Sequence, residues 1–155
     1  MNKTLVAEVY RLHGSATVSI SADSPLEEVI GNFASEPSLR DIFLVDSKQR
    51  FVGTVTEIDL IRWAHLKLTG GKVRHEIPVS EFCRIVDARK ARDLASGDTR
   101  MLSLRESDTL QATLDKMLDY EECVIAVLDS EGTALGDISV SEIFWVILTS
   151  GRRTS

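Results

Sequence analysis

Cysteine is scarce. Cys83 and Cys123 are the two cysteines in 155 residues and neither has a near partner in sequence, which excludes a disulfide framework. Histidine is almost as rare, and His13, His65 and His75 show no metal-ligand spacing with the cysteines, so no metal site is expected. Long apolar runs are missing too. The longest is Ile143-Phe144-Trp145-Val146-Ile147-Leu148, far short of the roughly 18 residues a membrane span needs, and the amino terminus has no signal-peptide pattern. The expected location is the cytoplasm. Nor is there a basic excess: 24 acidic against 18 basic residues give a net charge of −6, which opposes nonspecific attraction to nucleic acid or anionic lipid. Neither is expected as a partner. Catalytic signatures are absent as well: no activated serine or cysteine arrangement, no phosphate loop, no paired carboxylates at a recognisable spacing. An enzyme is not expected, and no cofactor is obligatory.

What remains is an ordinary globular composition, 43% hydrophobic and 27% charged, arranged as a repeat. Gly53-Thr54-Val55-Thr56-Glu57-Ile58-Asp59-Leu60 is echoed by Gly136-Asp137-Ile138-Ser139-Val140-Ser141-Glu142-Ile143. Val18 aligns with Leu102 and Leu26 with Leu110 at an offset of 84, Asp46 with Asp129 and Gly53 with Gly136 at 83. Self-similarity over such a span reports a duplicated supersecondary unit that buries its apolar face against its copy.

Each copy has the same order of elements. In the first, Ala16–Ile20 is β-prone, and Ser24-Pro25-Leu26-Glu27 predicts a helix start with Ser24 as cap. Leu26, Val29, Ile30 and Phe33 then form one apolar stripe. Ile42–Val45 suits a strand covered on both faces, and Phe51–Val55 reads as its hairpin partner beyond a polar turn. A helix runs from Glu57 to the Gly70-Gly71 pair. The second copy repeats this with Met101–Leu104, a helix capped by Asp108 with Gln111, and Val124–Leu128. Asp46, Asp129 and Glu131 read as turn residues. Val6–Val9 and Ala91–Leu94 are related lead-ins, and Val79, Phe82 and Val86 predict a connecting helix. The fold class is α/β (α+β): two pseudo-symmetric β-α-β-β-α repeats, the first over 1–66, a connecting segment over 67–90 and the second over 91–155. Seven basic against three acidic side chains between Lys67 and Arg92 give that stretch a charge of +4, suited to a local anion.

This order, with Gly-x-x-Thr/Ser-x-x-Asp at a strand-to-helix junction, resembles the tandem cystathionine-β-synthase (CBS) domain pair, or Bateman module. The resemblance covers nearly the whole chain. It implies a non-catalytic regulatory module that binds an adenine nucleotide (AMP, ADP or ATP) or S-adenosylmethionine in an inter-repeat cleft and senses it for an effector protein or enzyme. By the same resemblance, Thr56 contacts phosphate and Asp59 accepts the ribose hydroxyls, with Ser139 and Glu142 as their counterparts. Adenine is expected near Val18, Ile20, Ile42 and Phe43, for each of which core packing is the competing reading.

The chemistry is sound on its own terms, since a helix N-terminus offers free N–H groups to a phosphate and a carboxylate can accept two hydrogen bonds from a cis-diol. Both junctions also read as capping boxes, in which the shorter Asp59 is expected to reach back less readily than Glu142 and so stay free for a ligand. Asp137 would repel a phosphate in the second cleft. Arg62, Arg89, Lys90 and Arg92 are candidate phosphate partners. Trp63 and Trp145 occupy matching positions on helices apolar around most of their circumference, and the resemblance implies a homodimer built from them. The alternative function is a ligand-free dimerisation or docking module.

Overall fold

A computed structural model describes residues 3–10, 17–70, 79–95, 99 and 101–153. The first copy comprises β1 (Thr17–Ser21), α1 (Leu26–Ser35), β2 (Asp41–Val45), β3 (Phe51–Thr56) and α2 (Glu57–Thr69). α3 (Val79–Val86) and α4 (Ala91–Leu94) follow. β4 (Ser103–Arg105), α5 (Leu110–Tyr120), β5 (Val124–Leu128), β6 (Ala134–Ser139) and α6 (Val140–Arg153) complete the second copy. His13, Ala16, Gly71 and His75, named above, lie outside the described residues, as does the part of the basic connecting stretch over 71–78.

Each copy builds one three-stranded sheet, ordered β1-β2-β3 and β4-β5-β6, in which the central strand is parallel to the first and antiparallel to the third. The apolar runs Ile42–Val45 and Val124–Leu128 become those central strands because a strand covered on both faces has no use for alternation: every residue of β2 and β5 is buried. One face of each sheet packs on helices. The opposite faces meet in a third apolar cluster of Phe43, Phe51, Val124, Ala126 and Leu128, with Phe43 and Phe51 edge to face at 5.7 Å. The hairpin turns are duplicated in detail: Asp46 Oδ1 accepts from the N–H groups of Lys48 and Arg50, and Asp129 Oδ1 from those of Glu131 and Thr133.

The spatial units interleave along the chain. Val6, Val9 and Tyr10 are buried in the core of the second sheet, with Leu102, Leu104, Ile125 and Ile138, whereas Ala91 and Leu94 are buried in the core of the first. Backbone hydrogen bonds fix the exchange, from Val6 N–H to Asp108 O (2.8 Å) and from Ala91 N–H to Ser24 O (2.8 Å). The same exchange explains the repeat's glycines. A Cβ on Gly136 would lie 3.3 Å from the Tyr10 ring, and one on Gly53 would lie 3.3 Å from Thr99 Oγ1, so a side chain at either position would crowd the chain that packs there.

Two expected helix caps are corrected. α1 has Pro25 rather than Ser24 at its N-cap, with no side-chain bond, and the Leu26 N–H donates instead to Arg89 O at 3.0 Å. α5 is capped by Thr109, whose Oγ1 accepts from Ala112 N–H (3.1 Å), while Asp108 accepts from Arg105 N–H. At the other end of α2, Gly70 takes the left-handed conformation that closes a helix.

Candidate functional site

β3 ends in Thr56, whose extended backbone turns the chain into α2. The Thr56 N–H donates to Asp59 Oδ2 at 2.9 Å, the Thr56 hydroxyl to the same oxygen at 3.1 Å, and the Asp59 N–H to Thr56 Oγ1 at 3.3 Å. Asp59 therefore completes a full capping box, against the expectation that it would stay clear of the helix terminus. The equivalent bond, Ser139 N–H to Glu142 Oε1 at 3.1 Å, forms at the second junction, so side-chain length does not separate the copies. Both carboxylates are buried, Asp59 at 4% exposure and Glu142 at 1%. At the first junction the cap engages Oδ2 and leaves Oδ1 without a protein partner.

The surroundings do separate the junctions. Thr56, Ile58, Asp59 and Arg62 form one wall of a cleft of about 300 Å³ whose other wall is Asp119–Glu122, at the C-terminal end of α5. A recess of about 170 Å³ shares Thr56, Ile58, Glu121 and Glu122 and adds Arg40, Asp41 and Glu57. The cleft thus lies between the two repeats, with the N-terminus of a first-copy helix facing the C-terminus of a second-copy helix. Ser139 and Glu142 line neither space.

Its electrostatics are acidic. Burial pushes the Asp41 carboxyl up to about 8, helped by the negative fields of Glu122, Asp59, Glu57 and Asp137. Burial and Asp59 push Glu122 up to about 7. Asp59 is also raised, by burial, against the lowering effect of the Thr56 hydrogen bonds and of Arg84 and Arg62. Asp41 is 5% exposed, and among the described residues its carboxyl has no hydrogen-bond or ion-pair partner. It occupies the position that Val124 holds in the second sheet, each pairing with the last residue of the following strand, Thr56 and Ser139.

The remaining sequence candidates are dispersed. Ile42 is buried between the first sheet and its helices, and Phe43 between the sheets. Val18 is exposed on edge strand β1, and Ile20 packs on the first core. Of the candidate phosphate partners, Arg62 lines the cleft. Arg92 is bonded to Asp23, Lys90 lies 3.6 Å from the same carboxylate, and Arg89 lines neither space. In the basic connecting stretch, Arg84 is committed to the carbonyls of Asp93 (2.8 Å) and Ala95 (2.9 Å). Asp41 and the acidic end of α5 were not identified from sequence. The run Asp119-Tyr120-Glu121-Glu122 was visible, but its apposition to Asp59 is a tertiary fact.

The family model for the CBS domain matches residues 9–66. A CBS-domain-containing protein from Thermotoga maritima superposes with a TM-score of 0.75 at 17% identity, covering 96% of this chain and 97% of that one. CBSX2 in complex with AMP gives 0.66 at 15% identity over 96% and 98%. The CBS-domain pair of protein MJ0100, in complex with 5′-methylthioadenosine and S-adenosyl-L-methionine, gives 0.65 at 14% over 95% and 98%. Against curated proteins the chain has no sequence match. Among the described residues, no helix is long and apolar enough to cross a membrane.

Proposed function

We propose, from the match of residues 9–66 to the CBS-domain family and the fold of a CBS-domain pair, that the chain is a regulatory module that binds an adenosyl compound in the cleft at Thr56 and Asp59. The observation that carries this reading is the half-used carboxylate: Asp59 caps α2 with Oδ2, while Oδ1, in a residue lining the cleft, remains available to accept from ribose hydroxyls. The first N–H groups of α2 lie beyond the reach of the cap and add donors at the same place. Complexes of related folds with AMP and with S-adenosyl-L-methionine support the ligand class. The reading rests on Thr56 and Asp59, and assigns no ligand contact to the core residues Ile42 and Phe43.

Regulation follows from position. A ligand held by α2 and the end of α5 touches both repeats, so it favours whichever relative placement lets both walls close on it, and an effector that distinguishes the placements reads the ligand. The module is also proposed to dimerise, because Ile58 and Ile61 of α2 and Phe144, Trp145, Ile147 and Leu148 of α6 are exposed apolar side chains. The same faces favour a second reading, a ligand-free dimerisation or docking module.

Thermal unfolding separates the two. At 100 times its dissociation constant a ligand stabilises the fold by about 2.7 kcal/mol, which is visible as a raised midpoint. Asp59→Asn keeps one oxygen for the cap and replaces the other acceptor, so it should remove the shift while folding normally. No shift with AMP, ADP, ATP, adenosine or S-adenosylmethionine would leave the scaffold reading in place.

A further inference from the structure

We propose that this cleft selects adenosyl ligands by charge, accepting those with an uncharged or cationic 5′ substituent, a thioether or sulfonium, and discriminating against 5′-phosphates; the inference rests on the adenosyl-binding reading of the same site. It starts from the lining. Asp41, Glu57, Asp59, Asp119, Glu121 and Glu122 are six carboxylates, set against the two guanidiniums of Arg40 and Arg62. Asp137 on β6 adds its negative field and Arg84 on α3 its positive one. The cleft wall opposite α2 is the C-terminal end of an α-helix, where unpaired carbonyls carry partial negative charge. That end offsets the attraction the N-terminus of α2 holds for an anion.

Asp41 gives the acidity a focus. It is more than nine-tenths buried, lines the recess beside Glu122, and makes no hydrogen bond or ion pair among the described residues. A buried carboxyl without a partner is costly unless something supplies one. In the protein alone that something is a proton: burial and neighbouring carboxylates push Asp41 up to about 8 and Glu122 up to about 7, so at neutral pH the site holds protons against its own negative field. A sulfonium or ammonium group can take their place, whereas a phosphate would require the site to bind more of them.

Isothermal titration of the full chain at pH 7 with S-adenosylmethionine, 5′-methylthioadenosine, adenosine and AMP, in two buffers of different ionisation enthalpy, tests this. The expected order is S-adenosylmethionine tightest and AMP weakest, adenosine exceeding AMP by about tenfold, the scale of one like charge at partly screened distance. S-adenosylmethionine binding should release protons to the buffer. Glu122→Gln, at a half-buried position that tolerates the change, and Asp41→Asn should each narrow the gap between adenosine and AMP. If AMP binds more tightly than adenosine, charge selection is overturned and the adenosyl site stands. If none of the four binds, both fall together.

Discussion

Asp41 and Glu122 are acids whose folded pKa values, about 8 and about 7, exceed their ordinary values of 3.8 and 4.5. Between the unfolded and folded values the native state holds more protons than the unfolded chain, so stability falls as pH rises through that window. The protein is therefore expected to lose stability between about pH 4 and pH 8, on the order of a few kcal/mol from Asp41, and Asp41→Asn should flatten the decline. Urea unfolding at pH 5, 7 and 9 measures both. Thr56 and Asp59 were legible in sequence because a capping box is local chemistry spanning three residues. Asp41 was not: it heads an apolar strand, and two of the groups that disturb it, Glu122 and Asp137, lie on the other repeat, Glu122 81 positions away.

The elements themselves follow the sequence closely, because apolar periodicity and turn residues act within a few positions. β5 spans the expected residues, α2 ends at Gly70 and α3 begins at Val79. The cap of α1 was misread because a tertiary acceptor replaces the local one, and that of α5 by one residue, Thr109 for Asp108; Leu26 N–H finds Arg89 O and Leu110 N–H finds Thr4 O, each supplied by the segment before the other copy. That exchange yields two predictions. Leu94→Ala, at a site 1% exposed in the first core, should cost about 2–5 kcal/mol in chemical denaturation. Fragments 1–66 and 91–155 each carry the lead-in that the other needs. They should be poorly folded alone and gain native circular dichroism when mixed.

For the molecule as a whole, the resemblance implied two clefts, the second disfavoured by Asp137, and the copies do diverge in the side chains at their junctions. Val124 stands for Asp41, Asp137 for Thr54 and Ser139 for Thr56, so the pseudo-symmetry preserves the scaffold while the side chains at the two junctions differ. The exposed apolar side chains of α2 and α6 are the other whole-molecule feature. If they form a homodimer, Trp145→Asp should yield a monomer by light scattering, with the fold retained, since that side chain is about half exposed. An unchanged mass would place the interface elsewhere. The most direct measurement of the central claim is a titration of the isotopically labelled chain with 5′-methylthioadenosine, followed by amide NMR. Binding in the proposed cleft predicts shifts clustered at Thr56–Asp59 and at Glu121–Glu122, with Ser139–Glu142 unmoved. Shifts confined to the second junction, or none at saturating ligand, would contradict it.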